Sequence, residues 1–188
     1  MDLNNTIERI LVTEQEIDNR CKEMAAEISR DYQDKKPILL SLLRGSIPFV
    51  TNLSKYIPIP VEFDYMKVSS YHGGTTSTGN VAVTVLPASK LENRHIIVVE
   101  DIVDTGFTLN TVMKILSDYH PASLAIATLL DKPSMRKVPD LKLDYIGFEV
   151  PAEFVVGFGL DYDELYRQLP YVGVLKEEVY KKKEIMNS

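Results

Sequence analysis

The sequence predicts an α/β fold in which a mostly parallel sheet is covered by helices on both faces. Three observations predict it. The short apolar runs at 38–43 and 95–99 have the character of strands buried on both sides, and 124–130 and 144–148 supply two further strands. Segments of helical periodicity or helix-start chemistry fall between them. The chain has 188 residues, 45% of them hydrophobic, enough for one well-filled core and few for two.

Along the chain, Thr13 with Glu16 forms a capping-box pattern, and Ile17, Cys21, Met24, Ala25 and Ile28 recur at helical spacing, so a first helix is expected over 14–31. Cys21 lies on that apolar stripe and reads as a core residue. The run at 38–43 ends at Arg44-Gly45, and a helix follows over 46–56 before Pro58 and Pro60. Val61, Phe63 and Tyr65 alternate as a half-buried strand. The stretch 69–80, SSYHGGTTSTGN, is polar and glycine-rich and is expected to be a mobile loop, returning through a strand at 81–85. After the strand at 95–99 comes Glu100-Asp101-Ile102-Val103-Asp104-Thr105-Gly106, then a helix over 107–119 stopped by Pro121. The C-terminal KEEVYKKKEIMNS is charged and expected to be a solvated helix or tail. A single domain is expected.

Composition excludes several functions. The net charge is −6 and the pI about 5.1, against the basic face that nucleic-acid binding needs. No secretory leader or membrane-length apolar stretch is evident, and one cysteine permits no internal disulfide, so a cytoplasmic location is expected. His72, His95 and His120 lack metal-ligand spacing. No stretch matches G-x-x-x-x-G-K-[ST] or G-x-G-x-x-G, which argues against a P-loop NTPase or a dinucleotide enzyme.

In open parallel sheets ligands bind beyond the carboxyl ends of the strands, which directs attention to the turn after 95–99. There Thr105, Gly106 and Thr108 stand at a helix start, where free backbone N–H groups and the helix dipole suit a phosphate. Carboxylates beside a phosphate repel it unless they serve another part of the same ligand. Ribose hydroxyls are such a part, because they donate hydrogen bonds that ionised Glu100 and Asp101 can only accept. The alternative is an acidic loop in which Asp104 or Thr105 merely caps the helix.

The segment 98–109 resembles the phosphoribosyl pyrophosphate signature of type I phosphoribosyltransferases, and other segments resemble the hypoxanthine-guanine branch of that family, in its bacterial form. Leu43-Arg44-Gly45 is similar to its pyrophosphate loop, Ser70-Tyr71 opens a segment like its flexible catalytic loop, and Leu129 to Pro133 resembles its purine-contacting lysine segment. Phe154-Val155-Val156-Gly157, Leu160-Asp161-Tyr162 and Arg167 match its C-terminal base and metal site. The resemblance runs in consistent order over roughly residues 8–175.

The resemblance implies a core at about 32–150, with the flexible loop at 69–80, and a small hood built from 1–31 and 151–188. It implies that Glu100 and Asp101 hold the ribose hydroxyls and that Asp104, Thr105, Gly106, Phe107 and Thr108 surround the 5-phosphate. Asp104 is also the implied acid/base group at the purine N7. Lys132 would donate to the 6-oxo group, Phe154 would stack on the base, and the Val155 backbone and Asp161 would complete the purine site. Leu43, Arg44, Gly45, Ser70, Tyr71 and Arg167 would contact pyrophosphate. Asp161 is the implied magnesium ligand, with Glu100 and Asp101 as possible ones, and a non-proline cis peptide is implied at Leu43-Arg44-Gly45. Phe107 and Arg44 stand where some relatives carry lysine, which leaves the assignment intact. The implied reaction joins hypoxanthine, and with it guanine, to the phosphoribosyl group. A xanthine-preferring transferase or a non-catalytic sensor of the same donor are the alternatives, and a homodimer or homotetramer is the implied assembly.

Overall fold

The structure, a computed structural model, describes residues 3–70 and 81–186. The expected loop over 69–80 lies outside the described residues except for its first two, which end a strand.

Among the described residues, nine strands and four α-helices follow in the order 3₁₀ turn (Leu3–Thr6), β1 (Ile7–Val12), α1 (Glu14–Asp31), β2 (Ile38–Leu42), α2 (Ile47–Ser54), β3 (Glu62–Ser70), β4 (Val81–Val85), β5 (His95–Val103), α3 (Phe107–Ser117), β6 (Ser123–Asp131), β7 (Tyr145–Glu149), β8 (Val155–Val156), β9 (Val172–Leu175) and α4 (Glu177–Met186). The larger sheet has the order β4-β3-β2-β5-β6-β7, parallel throughout except for β4. A second sheet, β1-β9-β8, is antiparallel and joins the two ends of the chain.

Every residue of β2 is buried, and its side chains alternate between two cores. Leu39 packs with Ile97, Val99, Ala127 and Leu129 under the apolar stripes of α1 and α2. Ile38, Leu40 and Leu42 pack on the other face with Ile96, Val98 and Ile126 beneath Leu109, Val112 and Leu116 of α3. Full burial of each such side chain stabilises by about 1.5–3 kcal/mol, so these two layers fix the sheet between its helices. Helix α1 begins with both reciprocal bonds of the capping box, Glu16 N to Thr13 Oγ1 at 3.3 Å and Thr13 N to Glu16 Oε2 at 2.8 Å. Its buried face shares one core with the larger sheet and with Val12, Val155, Val172 and Val174 of the second sheet. Burial pushes the Cys21 thiol up to about 11, in keeping with a core role.

One expected facing is inverted. In β3 it is Asp64 and Met66 that are buried, while Phe63 and Tyr65 are exposed. The Asp64 carboxylate turns inward because it accepts the backbone N–H groups of Tyr65, Ala88 and Ser89 at 2.7, 3.2 and 2.6 Å. A buried carboxylate so satisfied can occupy a position that apolar periodicity assigns to a hydrophobe. No helix among the described residues is long and apolar enough to cross a membrane.

Candidate active site

β2 and β5 are neighbours whose following helices lead to opposite halves of the sheet, so their carboxyl ends flank a topological switch point. β2 pairs with β5 only as far as Ser41 and Val99, whereas β5 continues against β6 to Val103. Glu100 and Asp101 therefore belong to the strand, not to a turn beyond it as expected, and they follow the last residue that β5 pairs with β2. Glu100 Oε2 is buried without a hydrogen-bond partner among the described residues. Burial, and secondarily the charge of Asp101, raises the Glu100 carboxyl well above the ordinary range. Burial also pushes Asp101 up to about 6, against the opposing effect of the Ile102 N–H on its Oδ1 at 2.8 Å. Two partly desolvated acids side by side form a receptor for hydrogen-bond donors.

Immediately beyond, Gly106 occupies the N-cap of α3 at φ +84°, and no side chain caps the helix. The capping alternative for Asp104 or Thr105 is thereby set aside, and the first-turn N–H groups keep their capacity for an anion. Glycine is required there: besides its positive φ, a Cβ would lie 3.0 Å from Leu141. The Thr105 carbonyl accepts the Lys137 N–H at 3.0 Å, which pins the loop to the segment after β6. Phe107 and Thr108 open the helix.

The turn after β2 closes the other side. The Leu43–Arg44 peptide is cis, as expected. A Cβ on Gly45 would stand 1.6 Å from Asp101 Oδ2, and one on Gly159 would stand 1.9 Å from the Gly45 carbonyl oxygen, so three segments meet through two glycines. Arg167 reaches this junction. Its Nη1 donates to the Gly159 carbonyl at 2.8 Å, and its Nη2 lies 2.9 Å from Asp161 Oδ1 and 3.2 Å from Glu164 Oε2. Arg44 Nη1 is 3.1 Å from the same Glu164 oxygen. Two arginines thus converge on one carboxylate oxygen, an arrangement suited to a polyanion. Ser70 ends β3, and Tyr71 lies outside the described residues.

Between these walls lies a cavity of about 520 Å³, lined by Asp101, Asp104, Lys132, Phe154, Val155 and Asp161 among others. Lys132 is buried, with Nζ 3.2 Å from Asp104 Oδ1. Its backbone N–H donates to the Val103 carbonyl at 3.0 Å, coupling the lysine to the end of β5. Phe154 stays 39% exposed, leaving aromatic surface to the cavity, while Val155 is held in β8 against Val174. Ile102 and Leu160, which stood inside the motifs without a role, and Ala152, Glu153 and Tyr180, which sequence reasoning missed, also line the cavity. Ile102 was available as an apolar residue between the acids; Tyr180 carried no signal, since it comes from the helix at the far end of the chain.

The phosphoribosyl transferase domain model matches residues 10–163. The chain is 49% identical over 178 residues to the hypoxanthine-guanine phosphoribosyltransferase of Streptococcus pneumoniae, covering 95% of this chain and 98% of that one. The hypoxanthine phosphoribosyltransferase structure from Staphylococcus aureus superposes with a TM-score of 0.92 at 46% identity, over 96% of this chain and 97% of the other. A Trypanosoma cruzi hypoxanthine phosphoribosyltransferase variant complexed with the product IMP matches with a TM-score of 0.89 at 39% identity, over 95% and 96% of the two chains. With these matches spanning the acidic strand end, the uncapped helix and the cis peptide, the chain belongs to the phosphoribosyltransferase family.

Proposed function

We propose that this protein transfers the 5-phosphoribosyl group of phosphoribosyl pyrophosphate to N9 of hypoxanthine and guanine, giving IMP and GMP with release of pyrophosphate. The observation that carries the reading is the pairing of a buried, unpartnered carboxylate oxygen on Glu100 with an uncapped helix start six residues later. One end of that arrangement accepts the 2- and 3-hydroxyls of a ribose, and the other donates to its 5-phosphate.

In this reading the new bond joins purine N9 to C1 of the ribose as the bond from C1 to pyrophosphate breaks. Asp104 takes the proton at N7, within hydrogen-bond reach of the ring. Lys132, whose ammonium meets Asp104, turns to the 6-oxo group when the base enters. Adenine offers an amine there and would leave the ammonium facing another donor, a mismatch of about 1–3 kcal/mol. Phe154 stacks on the base and Val155 meets its edge through the backbone. Charge developing on pyrophosphate is met by the backbone and side chain of Arg44 and by Arg167. Ser70 and Tyr71 would cover it and exclude water from C1.

The carboxylates fit a magnesium ion. No group of three or more metal-ligating acids, histidines or cysteines occurs among the described residues, but Asp161 and Asp101 line the cavity, with Glu100 preceding Asp101 on β5, and magnesium commonly takes one or two carboxylates plus substrate oxygens and water. When bound it would supply charge neutralisation for the pyrophosphate. The reading goes with a cytoplasmic location and a homodimer or homotetramer.

The test is an assay with labelled phosphoribosyl pyrophosphate, magnesium and each base in turn. Nucleotide from hypoxanthine and guanine is expected. Product from xanthine alone would reassign the base, from adenine or uracil alone would overturn the role of Lys132, and from none would leave a donor-binding protein without catalysis.

A further inference from the structure

Phe154 lies on the connection between β7 and β8, 39% exposed, so a residue whose ring face must be fixed to receive a base has little covalent restraint of its own. Its fixation comes from the opposite end of the chain. The Phe154 carbonyl accepts the backbone N–H of Leu175, the last residue of β9, at 2.9 Å. Helix α4 starts two residues further on, and its first turn brings Tyr180 onto the Phe154 ring, stacked with centroids 5.0 Å apart and planes 21° from parallel. Tyr162 meets the same ring edge-on at 5.7 Å and 89°. Val179 and Tyr180 pack in turn on Val156, Tyr166, Leu169 and Leu175 of the hood, so the stacking tyrosine is itself held, and it lines the 520 Å³ cavity beside Lys132 and Val155.

We infer that Tyr180 is a positioning residue for the purine site: by covering one face of Phe154 it fixes that ring and presents the other face to the base, making the C-terminal helix part of base recognition. The inference rests on the assignment of Phe154 to the base. Offset-stacked aromatic pairs are worth enough to change a binding constant about two- to tenfold. Loss of the pair acts on the base and not on the sugar phosphate, because Tyr180 is engaged with Phe154 and the hood and not with the Glu100 strand end or the α3 start.

The test compares Tyr180→Ala, Tyr180→Phe, Phe154→Ala and the double variant in the full chain. Tyr180→Ala should raise KM for hypoxanthine about two- to tenfold with KM for phosphoribosyl pyrophosphate and kcat within about twofold of the parent. Tyr180→Phe should restore the parent value, since only the ring is used. Adding Tyr180→Ala to the Phe154→Ala background should change nothing further, the signature of one coupled pair. An unchanged hypoxanthine KM in Tyr180→Ala, an equal rise in both KM values, or additive effects in the double variant would each overturn the inference. If Phe154→Ala itself left hypoxanthine KM unchanged, the base assignment would fall and this inference with it, a result distinct from failure at Tyr180 alone.

Discussion

Replacing Asp101 by asparagine should make the ligand-free protein more stable while weakening its grip on the donor. Its carboxyl is displaced from 3.8 to about 6 by burial, against the opposing backbone N–H of Ile102, with Arg167 lowering it and Asp161 raising it to lesser degrees. A displacement of that size corresponds to about 3 kcal/mol between protonation states. Because the group opens onto the cavity, the realised cost of the charge is closer to ~1–2 kcal/mol. In the unfolded chain the carboxyl titrates at its ordinary value, so between about pH 4 and 6 the folded chain holds a proton that the unfolded chain has lost. Stability therefore declines as pH rises from about 4 to about 6 and stays lowered above that. Asparagine keeps the oxygen that accepts the Ile102 N–H and carries no charge. It also removes a charge that contributes to the raised Glu100 carboxyl. In metal-free protein the midpoint of thermal unfolding should rise by about 2–6 °C at about pH 7.5, with the gain vanishing near pH 4. A variant no more stable at neutral pH, or one whose gain persists undiminished in acid, would show that the buried Asp101 charge does not destabilise the fold.

Other outcomes follow from the same geometry. Asp104→Asn should lower kcat far more than affinity for phosphoribosyl pyrophosphate, because the lost group is needed as the proton moves; steady-state kinetics giving equal losses would confine Asp104 to binding. Lys132→Ala should weaken hypoxanthine and guanine by about 1–3 kcal/mol and erode discrimination against adenine, read from the ratio of kcat/KM values. Gly45→Ala should raise KM for the donor with less effect on the base, because a Cβ 1.6 Å from Asp101 Oδ2 forces the turn and the acid apart; unchanged donor kinetics would contradict it. Asp64→Ala should cost about 1–3 kcal/mol of stability in urea unfolding at neutral pH by leaving three backbone donors unmet. Burial alone would raise the Asp64 carboxyl, but its hydrogen bonds from Ser89, Tyr65 and Ala88 outweigh that and hold it below the ordinary range. Its contribution is thus present above the ordinary value and is lost as pH falls through the lowered one.

Local chemistry was the legible part. The capping box at Thr13 and Glu16, the doubly buried runs of β2 and β5 and the glycine before α3 each state their structure within a few residues. Pairing between distant segments was not legible. β1 and β9 match Ile7 with Leu175 across almost the whole chain, and β8 is two residues long, too short to show any period. The facing of β3 depended on Asp64 finding donors at Ala88 and Ser89, and the strand character of Glu100 and Asp101 depended on β6. At the site, residues inside motifs could be named in advance, while Tyr180 could be found only once the hood had brought α4 back to Phe154.

If the proposed reading holds, the end of β5 and the start of α3 bind the two ends of one sugar phosphate. In a crystal structure with IMP bound, Glu100 and Asp101 oxygens should accept hydrogen bonds from the ribose hydroxyls while backbone N–H groups between Thr105 and Thr108 donate to the 5-phosphate. IMP seated elsewhere, or seated with those carboxylates turned from its ribose, would contradict it.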